Sequence, residues 1–201
     1  MQKRVLLITG QPGIGKTTAL TRIVQALNQQ GHKVGGMITR EVRSSGIRVG
    51  FQILDIDSGQ TGWLAHIHQQ TGPKIGKYGV NLSDLNQIGV KAITNAMKDQ
   101  DIIAIDEIGP MELLSEEFTD AVRKTAESQK PLISVIHWKA RDKLIDQIKA
   151  RKDAQTYVIT AENRDILPQT VIEKAQELLS ATTTAQTVLA PKLNSIEKSE
   201  T

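Results

Sequence analysis

Short apolar runs alternate with amphipathic stretches along most of the chain. The runs have the length of buried strands and lie at Val5 to Thr9, Asp101 to Asp106, Leu132 to Ile136 and Thr156 to Thr160. Apolar residues at three- and four-residue spacing predict helices over Lys16 to Gln30, from about Ser83, after Ser115, over Arg141 to Ala150 and over Val171 to Leu179. This alternation predicts an α/β fold with three layers, α/β/α, around a mainly parallel sheet.

A different pattern lies between the first helix and Ser83. Lys33 to Val42 and Ile47 to Asp55 are strand candidates, and Arg43-Ser44-Ser45-Gly46 between them is typical of a hairpin turn. Gly62 to His68 predicts a further strand, and Thr71 to Gly79 is a glycine-rich loop. We therefore expect an antiparallel hairpin region added to the parallel sheet.

The chain is predicted to form one domain followed by a tail. A length of 201 residues suits a single sizeable core. Residues 1–180 carry the alternating pattern and are assigned to that domain. Residues 181–201 are rich in Thr, Ser, Lys and Glu and lack a periodic apolar face, so we predict a disordered C-terminal tail.

Composition excludes several classes of protein. The chain has no cysteine, so a disulfide framework and a thiolate metal site are both excluded. No apolar run approaches the roughly 20 residues of a membrane span, and the apolar run after Arg4 is too short for a signal peptide. The net charge of +3 suits anionic ligands without requiring nucleic acid. We expect a cytoplasmic monomer with no membrane partner.

The first candidate for chemistry lies between the first strand and the first helix. There the pattern G-x-x-x-x-G-K-[ST] is matched in full by Gly10, Gln11, Pro12, Gly13, Ile14, Gly15, Lys16 and Thr17. Backbone N–H groups of such a loop surround phosphates, Lys16 adds a positive charge at the reacting end, and Thr17 offers a hydroxyl ligand to Mg²⁺. Together with Thr18, which follows, these residues predict binding of a nucleoside di- or triphosphate.

The second candidate is an acid pair at the end of the second core strand. Asp106 follows four apolar residues and is expected beside the phosphate loop, where it can hold Mg²⁺ through a water molecule. Glu107 follows and can orient and deprotonate a water molecule for attack on the γ-phosphate. Either acid alone is also compatible with a solvated strand end, and the pairing with the loop favours the catalytic interpretation.

The combination of motifs resembles the THEP-type nucleoside-triphosphatases, small P-loop enzymes that include the cancer-related nucleoside-triphosphatase. The resemblance covers about residues 3 to 180. It is carried by GQPGIGKTT from Gly10, GMITREVRSSGIRVGF from Gly36, GPKIGKY from Gly72, DEIGPMEL from Asp106 and ENRD from Glu162.

That resemblance implies a P-loop fold and magnesium-dependent hydrolysis of several triphosphates (ATP, GTP, CTP, UTP or TTP) to diphosphate and phosphate. It also implies a catalytic acidic residue at Glu107. A second nucleotide-contacting segment is implied at Asp106, Glu107, Ile108, Gly109, Pro110, Met111, Glu112 and Leu113.

Further candidates have alternatives of equal or greater weight. Arg40, Arg43 and Arg48 flank the hairpin turn, and one of them can stabilise charge on a transferring phosphate, although a solvated hairpin edge also explains them. Arg48 is preferred because it lies in the segment that carries the resemblance. Asn163 and Arg164 follow the last strand and are candidates for contact with the base, with an ordinary turn as the alternative.

Three more residues have weaker claims. Lys74 and Lys77 lie in the glycine-rich loop and can close over the phosphates, or can simply be exposed there. His137 follows the third core strand and can contact the γ-phosphate or serve a structural role.

Two other functions fit the same motifs. A small nucleotide or polynucleotide kinase is compatible with a basic segment that contains Lys139, Arg141, Lys143, Lys149, Arg151 and Lys152. A solvated helix explains that segment equally well. A non-enzymatic nucleotide-binding switch is the third hypothesis.

Overall fold

In the computed structural model the chain is described over residues 2–196, with side chains described as far as Ala181. Within that range nine strands form one sheet in the order β5-β6-β4-β3-β2-β7-β8-β1-β9. The strands are β1 Val5–Thr9, β2 Val34–Ser44, β3 Ile47–Asp55, β4 Thr61–His66, β5 Lys74–Ile75, β6 Tyr78–Val80, β7 Ile102–Ile108, β8 Leu132–Ile136 and β9 Ala154–Val158. The helices are α1 Lys16–Gln29, α2 Leu82–Asp84, α3 Lys91–Asp99, α4 Glu116–Glu127, α5 Lys143–Lys149 and α6 Leu167–Ile196, with a π-helical turn Leu85–Val90 between α2 and α3.

The parallel half of the sheet is built from the apolar runs. β1 pairs in parallel with both β8 and β9, and β7 pairs in parallel with both β8 and β2. Every residue of β1 and of β8 is buried, as expected for strands covered on both faces. The predicted mainly parallel α/β/α sheet is therefore confirmed.

Alternate residues of these strands supply two cores, one on each face of the sheet. Leu6 and Ile8 of β1 pack in a cluster with α1 and the first turns of α6. Val5 and Leu7 pack in the opposite cluster with α3, α4 and α5. Because consecutive side chains of a strand point to opposite faces, one apolar run serves both cores.

The predicted antiparallel region is also present. β2 and β3 form a hairpin whose turn contains Ser45 at φ 50° and Gly46 at φ 80°, the left-handed values that a two-residue hairpin turn requires. β4 and β6 continue the antiparallel pairing. The segment predicted as a glycine-rich loop is instead partly ordered, because β5 and β6 form a small hairpin around Gly76.

β2 joins the two halves of the sheet. Its residues Val34 to Met37 pair in parallel with β7, and its residues from Met37 onward pair antiparallel with β3. Gly36 adopts φ +117°, and an added Cβ there would lie 2.1 Å from the carbonyl oxygen of Ala104 in β7. Glycine is therefore required where β2 passes from one partner to the other.

Three predicted boundaries are corrected. The last strand is Ala154–Val158 rather than Thr156 to Thr160, and it is a sheet edge with a largely exposed outer side rather than a core strand. α5 begins at Lys143 rather than Arg141, because the Asp142 side chain caps it by accepting a hydrogen bond from the Leu144 N–H.

The third boundary concerns the C-terminal segment. α6 extends to Ile196 rather than ending at Leu179. The residues from Ser180 to Ala190 contain no glycine or proline that would interrupt a helix. The part of the predicted disordered tail after Ile196 lies outside the described residues. Over the residues described, we find no helix that combines the length and the apolar character needed to cross a bilayer.

Candidate active site

The phosphate-binding motif forms a tight loop between β1 and α1. Gly13 at φ 76° and Gly15 at φ 107° adopt left-handed conformations that favour glycine, and Gly15 is the N-cap of α1. Gly10 has a different role, because an added Cβ would lie 2.6 Å from the Ile159 carbonyl oxygen. The loop thus presents the N-terminus of a 14-residue helix, where unpaired N–H groups and the helix dipole favour an anion.

Lys16 is folded over this loop. Its Nζ donates hydrogen bonds to the carbonyl oxygens of Gly10, at 3.1 Å, and Gln11, at 3.3 Å. The ammonium group therefore lies on the same side of the loop as the helix N-terminus, and both contribute positive potential there.

The acid pair lies at an irregularity of β7. Ile105 is in register with Ser134, whereas Ile108 is in register with Ile136, so β7 contains one more residue than β8 across this interval. A bulge of this kind redirects side chains that regular alternation would send to opposite faces. The extra residue falls at Asp106 and Glu107, which were predicted at the strand end and lie inside the strand instead.

Both acids carry a buried oxygen that has no hydrogen-bond partner in the described part of the chain, namely Oδ2 of Asp106 and Oε1 of Glu107. Burial raises the pKa of Asp106 to about 7, and the negative charge of Glu107 adds to the rise, while a hydrogen bond from Thr17 and the charge of Lys16 oppose it. Burial likewise raises the pKa of Glu107, against the charges of Lys16 and His137. Unpaired buried carboxylate oxygens are costly, and they identify a place where a further polar group is needed.

Glu112 adds a third carboxyl to this cluster. It lies in the 3₁₀ turn Glu112–Leu114 that follows β7, and it is 5% exposed. Burial raises its pKa to about 8, backbone hydrogen bonds at Glu112 and Gly109 oppose the rise, and the charges of Glu107 and Asp106 add to it. Three acidic side chains, two of them buried and one partly buried, thus share one site.

These elements border one cavity of about 490 Å³, within the size range of ligand sites. Most of the predicted nucleotide-binding residues line it: Pro12, Gly13, Gly15, Lys16, Thr17, Thr18, Glu107, Gly109, Pro110, Met111 and Glu112. The others are not among its lining residues: Gly10, Gln11, Ile14, Asp106, Ile108, Leu113, Asn163 and Arg164. Asp106 is reached through Thr17, to which it is hydrogen bonded.

Arg48 also lines this cavity, across from the phosphate loop. Its Nε donates to the Tyr78 hydroxyl at 2.8 Å and its Nη1 to Glu41 Oε2 at 3.0 Å. Its guanidinium carbon lies 5.2 Å from the centroid of the Phe51 ring. Arg48 is exposed, as a solvated hairpin edge would be, but its guanidinium group is paired with Tyr78 and Glu41. Arg43 bonds Glu41 and the Gly46 carbonyl at the turn.

The remaining candidates differ in placement. His137 lines the cavity, and its Nδ1 accepts a hydrogen bond from the Lys139 N–H at 3.2 Å, which leaves Nε2 for a ligand. Both polar atoms of the Asn163 side chain bond its own turn, at the Thr160 N–H and the Val158 carbonyl. Arg164 is exposed, as are Lys74, Lys77 and Arg40, and none of these four lines the cavity.

Five lining residues from the antiparallel strands were not singled out from the sequence: Thr39, Glu41, Phe51, Leu64 and Ile75. Their alternation within β2, β3 and β4 predicts which face they share. The alternation does not reveal that this face lies near the phosphate loop, because that proximity depends on the twist of the whole sheet.

The site fits a magnesium ion. The described residues contain no group of three or more His, Asp or Glu side chains arranged to bind a metal ion. Mg²⁺ needs fewer, since it keeps several waters and takes one or two protein ligands together with phosphate oxygens. The Thr17 hydroxyl and the unpartnered Asp106 oxygen form such a set beside the phosphate loop.

Comparisons with known proteins agree with this geometry. The model of a protein family described as NTPase matches residues 5–172. The nucleoside-triphosphatase THEP1 of Thermofilum pendens is 41% identical over 181 residues, which cover 90% of this chain and 100% of that protein.

Two solved structures are similar as well. The crystal structure of THEP1 from Aquifex aeolicus has a TM-score of 0.74 at 31% identity and covers 84% of this chain and 97% of that one. The solution structure of a human cancer-related nucleoside triphosphatase has a TM-score of 0.74 at 32% identity and covers 87% of this chain and 98% of that one. The chain therefore has the P-loop NTPase fold and belongs to the THEP1-type nucleoside-triphosphatase family.

Proposed function

We propose that this protein hydrolyses nucleoside 5′-triphosphates to the diphosphate and phosphate, with Mg²⁺, and with a water molecule activated by Glu107. One observation carries the proposal. Glu107 lines the same cavity as the phosphate loop and presents a buried carboxylate oxygen with no partner among the described residues. A carboxylate so placed has a free acceptor for a proton of the attacking water.

The loop and Lys16 bind and orient the triphosphate. Its negative charge meets the N–H groups of the α1 N-terminus and the Lys16 ammonium group, which exchanges its two loop carbonyls for phosphate oxygens. Thr17 and Asp106 would hold Mg²⁺, which supplies charge neutralisation on the β- and γ-phosphates when bound.

Glu107 then acts as the base. Burial disfavours the ionised carboxylate and raises the pKa of Glu107. A general base is more effective when its pKa lies closer to the pH at which it works. Water oxygen bonds to the γ-phosphorus as the bond to the bridging oxygen breaks. The water proton passes to Glu107, and the diphosphate leaves with the bonding electrons.

Arg48 supports charge development during this step. It faces the phosphate loop across the cavity, and its contacts with Tyr78 and Glu41 hold it in place without reorganisation. A preorganised cation near the transferring phosphate stabilises the transition state more than the ground state.

Broad base specificity is part of the proposal. Asn163 is the candidate best suited to read a base edge, yet its oxygen and its nitrogen each bond its own turn, and it does not line the cavity. Arg164 offers only a planar stacking surface, which every base can use. This supports activity with ATP, GTP, CTP, UTP and TTP alike.

Phosphate release from each of these five triphosphates, with Mg²⁺ and with EDTA, tests the function. We expect release with all five, within about tenfold of one another, and none in EDTA. Release that persists in EDTA would contradict the metal requirement. Activity confined to one base would contradict the broad specificity.

A further inference from the structure

The cavity continues from the phosphate loop to the antiparallel strands. Across the sheet, the residues that line it follow the strand order from β1 through β8, β7, β2, β3 and β4 to β5. We call its far part, lined by Thr39, Glu41, Arg48, Phe51, Leu64 and Ile75, the antiparallel compartment.

The compartment lies on the γ-phosphate side of the nucleotide, an assignment that rests on the proposed function. Lys16 and Thr17 follow β1, Glu107 lies in β7, and the reacting phosphate must lie between them. The nucleoside end of the triphosphate then points away from β7, toward β9 and the loop after it. The apolar wall of β3 and β4 is therefore on the opposite side from the base of the bound triphosphate.

The walls of the compartment suit a planar organic ring. Phe51, Leu64 and Ile75 are apolar, and Met111 from the loop after β7 faces the same cavity. The Phe51 ring meets the Tyr78 ring edge to face at 5.4 Å between centroids, and Arg48 lies over both rings. Hydrolysis requires no such wall, since its nucleophile is water.

The charges favour a neutral ligand. Glu41 belongs to the compartment and Glu107 borders it, while Arg48 is paired with Glu41 at 3.0 Å. A second phosphorylated molecule would meet these carboxylates as well as the triphosphate. The Thr39 hydroxyl and the Glu41 carboxylate suit the N–H and O–H groups of an uncharged molecule.

We propose that the antiparallel compartment binds a neutral alcohol bearing a planar ring, of the nucleoside class, which accepts the γ-phosphoryl group in place of water. The hydroxyl oxygen bonds to the γ-phosphorus, and the bond from phosphorus to the β,γ-bridging oxygen breaks. The hydroxyl proton passes to Glu107, and the diphosphate leaves with the electron pair. The products are a phosphorylated alcohol and a nucleoside diphosphate.

The test uses ATP labelled in the γ-phosphate, with Mg²⁺ and one of adenosine, guanosine, cytidine or uridine. Glycerol serves as an alcohol without a ring, and AMP as an anionic acceptor. We expect label in the monophosphate of at least one nucleoside, and much less transfer to glycerol or AMP. Formation of this product is read separately from free phosphate, so a loss of transfer is distinguishable from a failure of hydrolysis measured without nucleoside.

Two aromatic substitutions on the same antiparallel region provide the matched pair. Phe51→Leu should lower the ratio of transfer to hydrolysis by about tenfold, the usual effect of losing one stacking ring. Trp63→Leu should leave that ratio unchanged, because Trp63 packs against His66 and does not line the cavity.

Several results would overturn the proposal. These are label in phosphate alone with every nucleoside, inhibition by a nucleoside without a labelled product, or faster transfer to AMP than to adenosine. A raised KM for ATP in Phe51→Leu, measured without any nucleoside, would place the base of the triphosphate in the compartment and overturn it too.

Discussion

Replacing Glu112 with Gln should make the protein less sensitive to rising pH. The folded chain holds a proton on this buried carboxyl up to a pKa of about 8, whereas the ordinary value is 4.5. Between these values the unfolded chain releases the proton and the folded chain keeps it. Raising the pH through this window therefore favours unfolding, and the stability associated with the protonated group is lost progressively.

The size of the effect follows from the width of the window. Each unit of difference in pKa between the folded and unfolded states changes the free energy of unfolding by about 1.4 kcal/mol. From pH 5 to pH 8, Glu112 should lower the free energy of unfolding by roughly 3 to 4 kcal/mol. Glu112→Gln keeps the shape of the side chain and removes this proton site. Between pH 5 and pH 8, the free energy of unfolding of the variant relative to the parent should therefore rise by that amount.

Urea unfolding at pH 5, 6, 7 and 8 measures this difference, with EDTA present and nucleotide absent so that no ligand adds its own linkage. Glu127→Gln is the matched control, because Glu127 is an exposed glutamate on α4. Its stability relative to the parent should not change across the series. A constant difference between Glu112→Gln and the parent at all four pH values would refute the buried, protonated carboxyl.

Other changes test the proposed chemistry and the domain boundary. Lys16→Ala should abolish productive triphosphate binding and leave the unfolding temperature nearly unchanged, since the Lys16 side chain bonds loop carbonyls and its removal leaves no cavity in the core; unchanged turnover in the folded variant would contradict its role. Glu107→Gln should lower turnover by roughly 10² to 10⁴ with little change in the affinity for magnesium and nucleotide. Single-turnover kinetics and nucleotide titration measure the two quantities, and turnover equal to that of the parent would disprove the base assignment. Asp106→Asn should lower both affinity and turnover in the same assays, and a normal affinity in Mg²⁺ would argue against a metal ligand there. A chain ending at Ser180 should unfold at nearly the parent temperature and hydrolyse at nearly the parent rate, and a large loss in either would mean that the later residues dock or act.

The phosphate loop could be predicted from the sequence because its chemistry is local. The backbone angles at Gly13 and Gly15 favour glycine, and Lys16 directly follows Gly15 in the motif. The Ser115 cap of α4 is equally local, since its hydroxyl accepts the Phe118 N–H three residues later. Features of this kind depend on neighbours in sequence and need no knowledge of the fold.

Features that depend on distant neighbours were harder to predict. Glu112 follows an exposed proline turn and has the appearance of a solvated acid, yet it is buried because the loop after β7 folds over the cavity. The extra residue in β7 is defined only relative to β8, about 30 positions later, so the apolar run could not reveal it. β9 contains apolar residues but lies at the sheet edge, because no later strand among the described residues covers its outer side.

The double pairing of β2 makes its length a determinant of chemistry. Up to Met37 the strand is held by β7, and beyond it the same strand dictates where β3 and β4 lie. Deleting Ile38 would invert the facing of every later side chain in β2. Thr39 and Glu41 would turn from the cavity, and Arg48 would lose its partner, although the phosphate loop and the acid pair stayed intact. In this protein a change of spacing far from the nucleotide would alter the reaction as deeply as a substitution beside it.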